Sequence, residues 1–233
     1  MSDDLVRVER DGPAALVTLN RPDKRNALSI ELRVALGEAL EALAGAPDVA
    51  AVGLTGAGSA FCAGMDVTQF GGEAEHRRLL VETSVRAFDA LAECPKPTVA
   101  LVNGSAIAGG FALALLCDVR VAAPAARFGF PELGRFIPPS YAAASLSLTP
   151  AVAADLCLTG RVIDAEEALS LGVVSRIAEG REALDQIAGA PAPATAEVKR
   201  RILLHRAGKS PRGLLAEEER ALRAALLSGR DGG

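Results

Sequence analysis

Hydrophobic and polar positions alternate along the chain in two rhythms. Leu5–Arg10 and Ala14–Asn20 alternate on either side of Asp11-Gly12-Pro13, the period-two pattern of two strands joined in a short hairpin. From Ser29, a side chain suited to an N-cap, the rhythm lengthens. Leu32, Leu36, Leu40 and Leu43 recur at helical spacing until Gly45, Ala46 and Pro47 stop them. Short apolar runs at Val49–Thr55, Thr98–Val102, Asp118–Ala122 and Val173–Ile177 predict buried strands. A helix over Glu73–Glu93 is expected to turn Leu79, Leu80, Val85, Phe88 and Leu91 toward a core, with Pro95 and Pro97 ending it. The apolar stretch Ser105–Cys117, 13 residues long, reads as a buried core helix too short to span a bilayer, with Gly109 and Gly110 opening a helix through Leu116. Beyond Pro150 the pattern is mostly helical: Ala151–Leu158, Ala165–Leu171, Arg181–Ile187, Ala196–Ala207 and Gly213–Leu227. Pro191 and Pro193 divide an α/β core over residues 1–190 from a helical region over 191–233.

Composition narrows what such a chain does. At 233 residues and 50% hydrophobic, it carries one compact core and is not disordered for most of its length. Only 3% of its residues are aromatic, with no Trp and one Tyr, which argues against stacking platforms for single-stranded nucleic acid or sugars. A net charge of −4 argues against a phosphate-backbone binder, so no nucleic-acid partner is expected. Met1–Arg10 has no apolar run, so neither a signal peptide nor a membrane partner is expected, and the expected location is cytoplasmic. Cys62, Cys94, Cys117 and Cys157 show no Cys-x-x-Cys spacing and read as reduced thiols. With only His76 and His205, no metal site is expected.

Two glycine-containing loops follow strands: Gly56 to Asp66, and Asn103 to Gly110. Neither is a Walker loop or a Gly-x-Gly-x-x-Gly fingerprint. Each delivers backbone N–H groups at or near a helix start without bulky side chains in the way. Two such donors converging on one point would stabilise an oxyanion, and at Gly109 the helix dipole adds to them. The same glycines also suit tight helix–strand packing, so spacing alone leaves both readings open.

Several segments together resemble the crotonase superfamily, the enoyl-CoA hydratase/isomerase proteins. They are Leu19-Asn20-Arg21-Pro22 with Asn26-Ala27-Leu28, Ala60-Phe61-Cys62-Ala63-Gly64-Met65-Asp66, and Asn103-Gly104 through Gly109-Gly110. Cys117-Asp118, Phe128-Gly129-Phe130-Pro131-Glu132, and Leu158-Thr159-Gly160-Arg161 through Val174 follow in family order. The resemblance implies an α/β fold, the ClpP/crotonase-like spiral of ββα units, with a C-terminal helical region that mediates trimer formation. It implies that the Met65 and Gly109 N–H groups grip the thioester oxygen of an acyl-CoA and hold the enolate formed when a proton leaves the adjacent carbon. Ala63 would approach the adenine through its backbone. Asp66 would line the substrate site or serve as a helix N-cap, and Gly110 would belong to the substrate-binding set.

Hydratases of this superfamily use two glutamates. Here the first position is Ala112, and only the second, Glu132, is a carboxylate. Hydration needs an activated water and a proton delivered to carbon, whereas shifting a double bond needs one carboxylate to take a proton from C2 and return it at C4. The resemblance therefore implies double-bond isomerisation through Glu132. Hydration as in fatty-acid degradation, acyl-thioester decarboxylation and a non-catalytic acyl-CoA-binding role are the alternatives. A nucleophilic Cys62 is disfavoured, since no histidine lies near it in sequence. His76 falls in a segment that often covers the acyl pocket, although a solvated helix position is the expectation.

After the base, a run that is glycine-rich in relatives reads Ile137-Pro138-Pro139-Ser140-Tyr141 here. Ser140 and Tyr141 are thus expected near the acyl chain. The cluster Lys199-Arg200-Arg201 with His205, Arg206, Lys209 and Arg212 reads as a solvated helix face. The chain stops about where the superfamily's final, CoA-binding helix begins. The expected substrate is accordingly an acyl-CoA or an acyl-carrier-protein thioester, with coenzyme A part of the substrate and no separate cofactor. A homotrimer or a dimer of trimers is the expected assembly.

Overall fold

The computed structural model describes residues 4–208; the helix expected over Gly213–Leu227, with Lys209 and Arg212, lies outside them. The chain opens on an antiparallel hairpin, β1 (Val6–Asp11) and β2 (Ala14–Leu19). β1 is mostly exposed and carries Arg7 and Glu9, as an edge strand that resists further pairing should. Helix α1 (Ile30–Ala44) follows, with the Ser29 side chain accepting from the Leu32 N–H as an N-cap.

Thereafter the chain repeats one unit. β3 (Ala51–Gly56), β4 (Ala60–Cys62) and α2 (Ala74–Ala92) form the first turn. β5 (Thr98–Val102), β6 (Ser105–Ile107) and α3 (Gly109–Leu116) form the second. β7 (Val119–Ala122), β8 (Arg127–Gly129) and α4 (Tyr141–Ser147) form the third. The first strand of each unit joins a six-stranded sheet and the second a four-stranded one, so the chain spirals between two sheets. After α5 (Pro150–Thr159), β9 (Val162–Asp164) closes the smaller sheet antiparallel to β8. Then come α6 (Ala165–Ser170), β10 (Arg176–Ile177), α7 (Glu182–Ala188) and α8 (Ala192–Arg206). The large sheet runs β1-β2-β3-β5-β7-β10 and is parallel from β2 onward, which explains why β5 reads as an unbroken apolar run with every residue buried.

Three expectations need correction. The Ser105–Cys117 stretch is not one helix: its first three residues form β6, and the helix starts at Gly109. The buried face of α2 is Thr83, Ala87 and Leu91, while Leu79 and Val85 point outward. Lys199 is not on a solvated face. It is 1% exposed and its ammonium bonds both Asp118 oxygens, at 2.9 and 2.7 Å, with Arg206 joining at 3.3 Å. These ion pairs clamp α8 onto the junction between α3 and β7. Pro191 caps α8 and Pro193 sits in its first turn, where a missing N–H costs nothing.

Candidate active site

Where the two sheets meet, two loops are pressed together. Gly64 has φ +89°, and a Cβ there would lie 2.8 Å from the Ala108 Cβ and 3.3 Å from the Gly109 nitrogen. Only glycine lets these loops touch. Leu28 donates to the Gly64 carbonyl at 2.8 Å and accepts from the Asp66 N–H at 3.3 Å. This parallel bridge uses the groups flanking Met65 and turns the Met65 N–H away from Leu28. On the other loop Ala108 has φ 54° and ψ −125°, a conformation costly for any residue with a Cβ. It sets the peptide that carries the Gly109 N–H at the start of α3. Among the described residues neither amide has an acceptor.

Both residues line a cavity of about 790 Å³. Ala63, Lys24 and Arg25 lie along one part of it; Ser84, Val85 and Phe88 of α2 form another wall, so Val85 faces the cavity and not the core. Ala112, one turn into α3, lines it as well, together with Glu132, Ile137 and Ser140.

Glu132 reaches the cavity because the core anchors the residue two before it. Phe111 packs on Phe130 with ring centroids 4.8 Å apart and on Phe128 at 5.6 Å. Pro131 then starts a short 3-10 turn, Pro131–Arg135, that carries the glutamate. Its Oε2 is buried without a hydrogen-bond partner. Burial pushes the Glu132 carboxyl above the ordinary range, partly opposed by its own backbone N–H. A raised carboxyl pKa beside a cavity suits a group that takes up and returns a proton.

The other candidate positions divide. Asp66 lines the cavity, but its side chain is occupied: it caps the 3-10 turn Val67–Gln69, accepts from the Thr68 N–H and hydroxyl at 3.1 and 2.6 Å, and pairs with Arg21 at 2.5 Å. Burial pulls its carboxyl up, and the bonds from Thr68 and Arg21 outweigh that and hold it below the usual range. Gly110 does not line the cavity. Its Cβ would lie 2.2 Å from the Cys62 carbonyl oxygen, so it serves close packing. Ser140 lines the cavity and caps α4, accepting from the Ala143 N–H. Tyr141 does not, and it is 51% exposed. His76 Nε2 lies 2.8 Å from the Gln69 carbonyl and donates to it, outside the cavity. Cys62 is buried with its thiol pushed up to about 12 by desolvation, unsuited to act as a nucleophile.

Two buttresses escaped the sequence reading. Asn26, buried with φ 56°, donates to the Ala57 and Ala60 carbonyls at 2.9 and 2.7 Å and accepts from the Arg21 N–H. Asn103 bonds Gly56 through both its amide oxygen and its amide nitrogen, and Gly58 through the nitrogen. Asparagine's tolerance of left-handed backbone was a signal available for Asn26. Nothing in an alanine announces the strained backbone of Ala108. Among the described residues no His, Cys, Asp and Glu side chains gather as metal ligands, and no helix is long and apolar enough to cross a membrane.

The family model for enoyl-CoA hydratase/isomerase matches residues 9–196. A putative enoyl-CoA hydratase of Thermus thermophilus is 45% identical over 193 residues, 78% of this chain and 74% of the relative. A short-chain-enoyl-CoA hydratase of Clostridium acetobutylicum is 34% identical over 186 residues, 77% of this chain and 71% of the relative. Among solved structures, an enoyl-CoA hydratase from Bacillus anthracis superposes with a TM-score of 0.86 at 28% identity, covering 97% of this chain and 92% of that one. An enoyl-CoA hydratase/carnithine racemase from Magnetospirillum magneticum gives 0.82 at 30% identity, covering 96% and 94%.

Proposed function

The chain belongs to the enoyl-CoA hydratase/isomerase family of the crotonase superfamily, and from that premise we propose that it shifts the double bond of an enoyl thioester with Glu132 as its single base. The thioester oxygen sits between the Met65 and Gly109 N–H groups. Glu132 takes a proton from C2 of a 3-enoyl thioester, the two amides hold the resulting dienolate, and the same carboxyl returns the proton at C4. The product is the conjugated 2-enoyl thioester. The observation that carries this reading is the pairing across one cavity: a buried, unpartnered carboxyl oxygen on Glu132, and Ala112 where a second carboxylate would assist water.

The substrate is an acyl-CoA or the corresponding carrier-protein thioester, and coenzyme A enters as part of the substrate with no separate cofactor. Lys24 and Arg25, on the same cavity, suit the phosphates of such a carrier, and Ala63 its adenine. Ser140 and Asp66 complete the lining, Asp66 through its cap and not as a proton carrier. We assign residues 1–190 to the catalytic core and 191–233 to the helical region that joins subunits. Exposed Leu158 at 78% and Val162 at 46% support self-association into a homotrimer or a dimer of trimers.

Hydration is the second reading, favoured by the names of the relatives. One experiment separates the two: supply a 3-enoyl-CoA and, separately, its 2-enoyl isomer, and follow conjugation and hydration by ultraviolet absorbance. Isomerisation at least tenfold faster than hydration supports the proposal. Hydration that is the faster reaction overturns it in favour of the second reading.

A further inference from the structure

Against the side chain of Met65 lies a buried cation. Arg33, on the first turn of α1, is 1% exposed. Its Nε donates to the Ser29 carbonyl at 3.2 Å, and Nη1 donates to the Leu80 carbonyl on α2 at 2.8 Å and touches Met65 Sδ at 3.8 Å. Nη2 is buried without a hydrogen-bond partner. Among the described residues no carboxylate lies within 4.0 Å of the guanidinium. Glu31 and Asp66 act on it only from farther away, and burial pulls its pKa down from the usual arginine value. A guanidinium taken out of water without a counter-ion is costly, and an apolar side chain would fill the same space at less expense. Cross-bracing α1 to α2 accounts for the bond to Leu80, and the bond to Ser29 stays within the start of α1; neither accounts for a buried charge without an ion-pair partner beside Met65.

We propose that Arg33 is a positioning residue for the oxyanion site: through its contact with Sδ it fixes Met65, and it holds a positive charge with no ion-pair partner beside the residue that carries the amide. The inference rests on the enolate reading given above. The bound thioester oxygen is nearly neutral, so Arg33 adds little to ground-state binding. As the proton leaves C2, negative charge gathers on that oxygen and meets the charge that Arg33 has held unpaired. Its contribution therefore falls on kcat and not on KM.

The test uses the full chain and an aryl-conjugated enoyl-CoA, whose absorption moves to the red as its thioester carbonyl is polarised. Wild type, R33M and R33K are compared for the dissociation constant, the red shift on binding, and kcat and KM for double-bond isomerisation. R33M is expected to bind within threefold of wild type, to lose at least half of the red shift, and to lower kcat about tenfold, less than the loss of a direct oxyanion donor. R33K, which keeps the charge, recovers most of both. An R33M protein with the wild-type shift and kcat overturns the proposal, and so does an R33K protein no better than R33M. Should R33M not fold by circular dichroism, R33Q, whose amide can still donate to Leu80, takes its place with the same expected and overturning results. Wild type that binds the probe without any red shift overturns the oxyanion reading itself, and with it the role of Arg33, before any variant is compared.

Discussion

The loop pair Ala63–Met65 and Ala108–Gly110 differs in construction from the segment Pro131–Tyr141 across the cavity. The first is main chain against main chain, with Gly64 so close to Ala108 that no side chain fits between them. It is buttressed by Leu28, Asn26 and Asn103. The second carries Glu132 on a single 3-10 turn, leaves Phe136 98% exposed at its end, and has space around Gly134. The difference teaches how chemistry is divided in this fold. On the proposed reading, charge is held by backbone amides whose positions the core dictates, whereas the reaction is selected by side chains on a loosely held rim. Changing the rim leaves the fold and the oxyanion site standing; changing the loop pair removes both.

Gly64→Ala strikes the loop pair and gives the largest expected effect. A methyl group at positive φ and 2.8 Å from Ala108 should cost ~3 kcal/mol of stability and more than 100-fold in turnover. Thermal unfolding and the isomerase assay check this, and a stable, active variant breaks the comparison. Lys199→Met asks whether stability also resides in the clamp on α8. It removes one of two cations on buried Asp118, and a loss of about 3 kcal/mol in urea unfolding is expected, because Arg206 remains as partner.

Glu132→Gln sharpens the contrast by altering the rim alone. The folded pKa of Glu132 is raised, so the folded state binds the proton more tightly than the unfolded chain does. Stability from this group is present below the unfolded pKa and lost as pH rises through the folded one. The neutral amide should then raise Tm at pH 7 by on the order of 2 °C, with the gain vanishing in acid below the unfolded pKa. An unchanged Tm at both pH values would contradict a desolvated carboxyl. In the wild type the acid limb of the rate profile should lie above the ordinary carboxylate value of 4.5. Tyr141→Phe is expected to change kcat/KM less than twofold, because Tyr141 is exposed and does not line the cavity. A larger change would show that the rim rearranges around substrate.

Much of the large sheet was legible in the sequence, since parallel strands buried on both faces announce themselves as apolar runs and α1 carries a visible cap at Ser29. The smaller sheet was not. Its strands β4, β6, β8 and β9 have three residues each, too few to show a period, and β6 continues into an apolar helix without a polar break. Val85 was assigned to the core because hydrophobicity does not distinguish a core face from a cavity wall, and Leu79 because it does not distinguish a core face from an exposed one. Lys199 was misread because a sequence does not show that Asp118, 81 positions earlier, waits for it. At the site, Met65, Gly109 and Glu132, named from the ordered family segments, all line one cavity. Tyr141 was misplaced because proximity in sequence to a pocket residue, Ser140, says nothing about which side of a helix start faces the pocket.

The central claim is that one carboxyl carries the proton while two backbone amides hold the charge. Its most direct test is the conversion of a 3-enoyl-CoA in deuterated water by wild type and Glu132→Gln, followed by proton NMR and by equilibrium binding. The account predicts that wild type forms the 2-enoyl product, while Glu132→Gln binds the thioester within threefold of wild type and turns it over at least 100-fold more slowly. A Glu132→Gln protein that isomerises at the wild-type rate would contradict it.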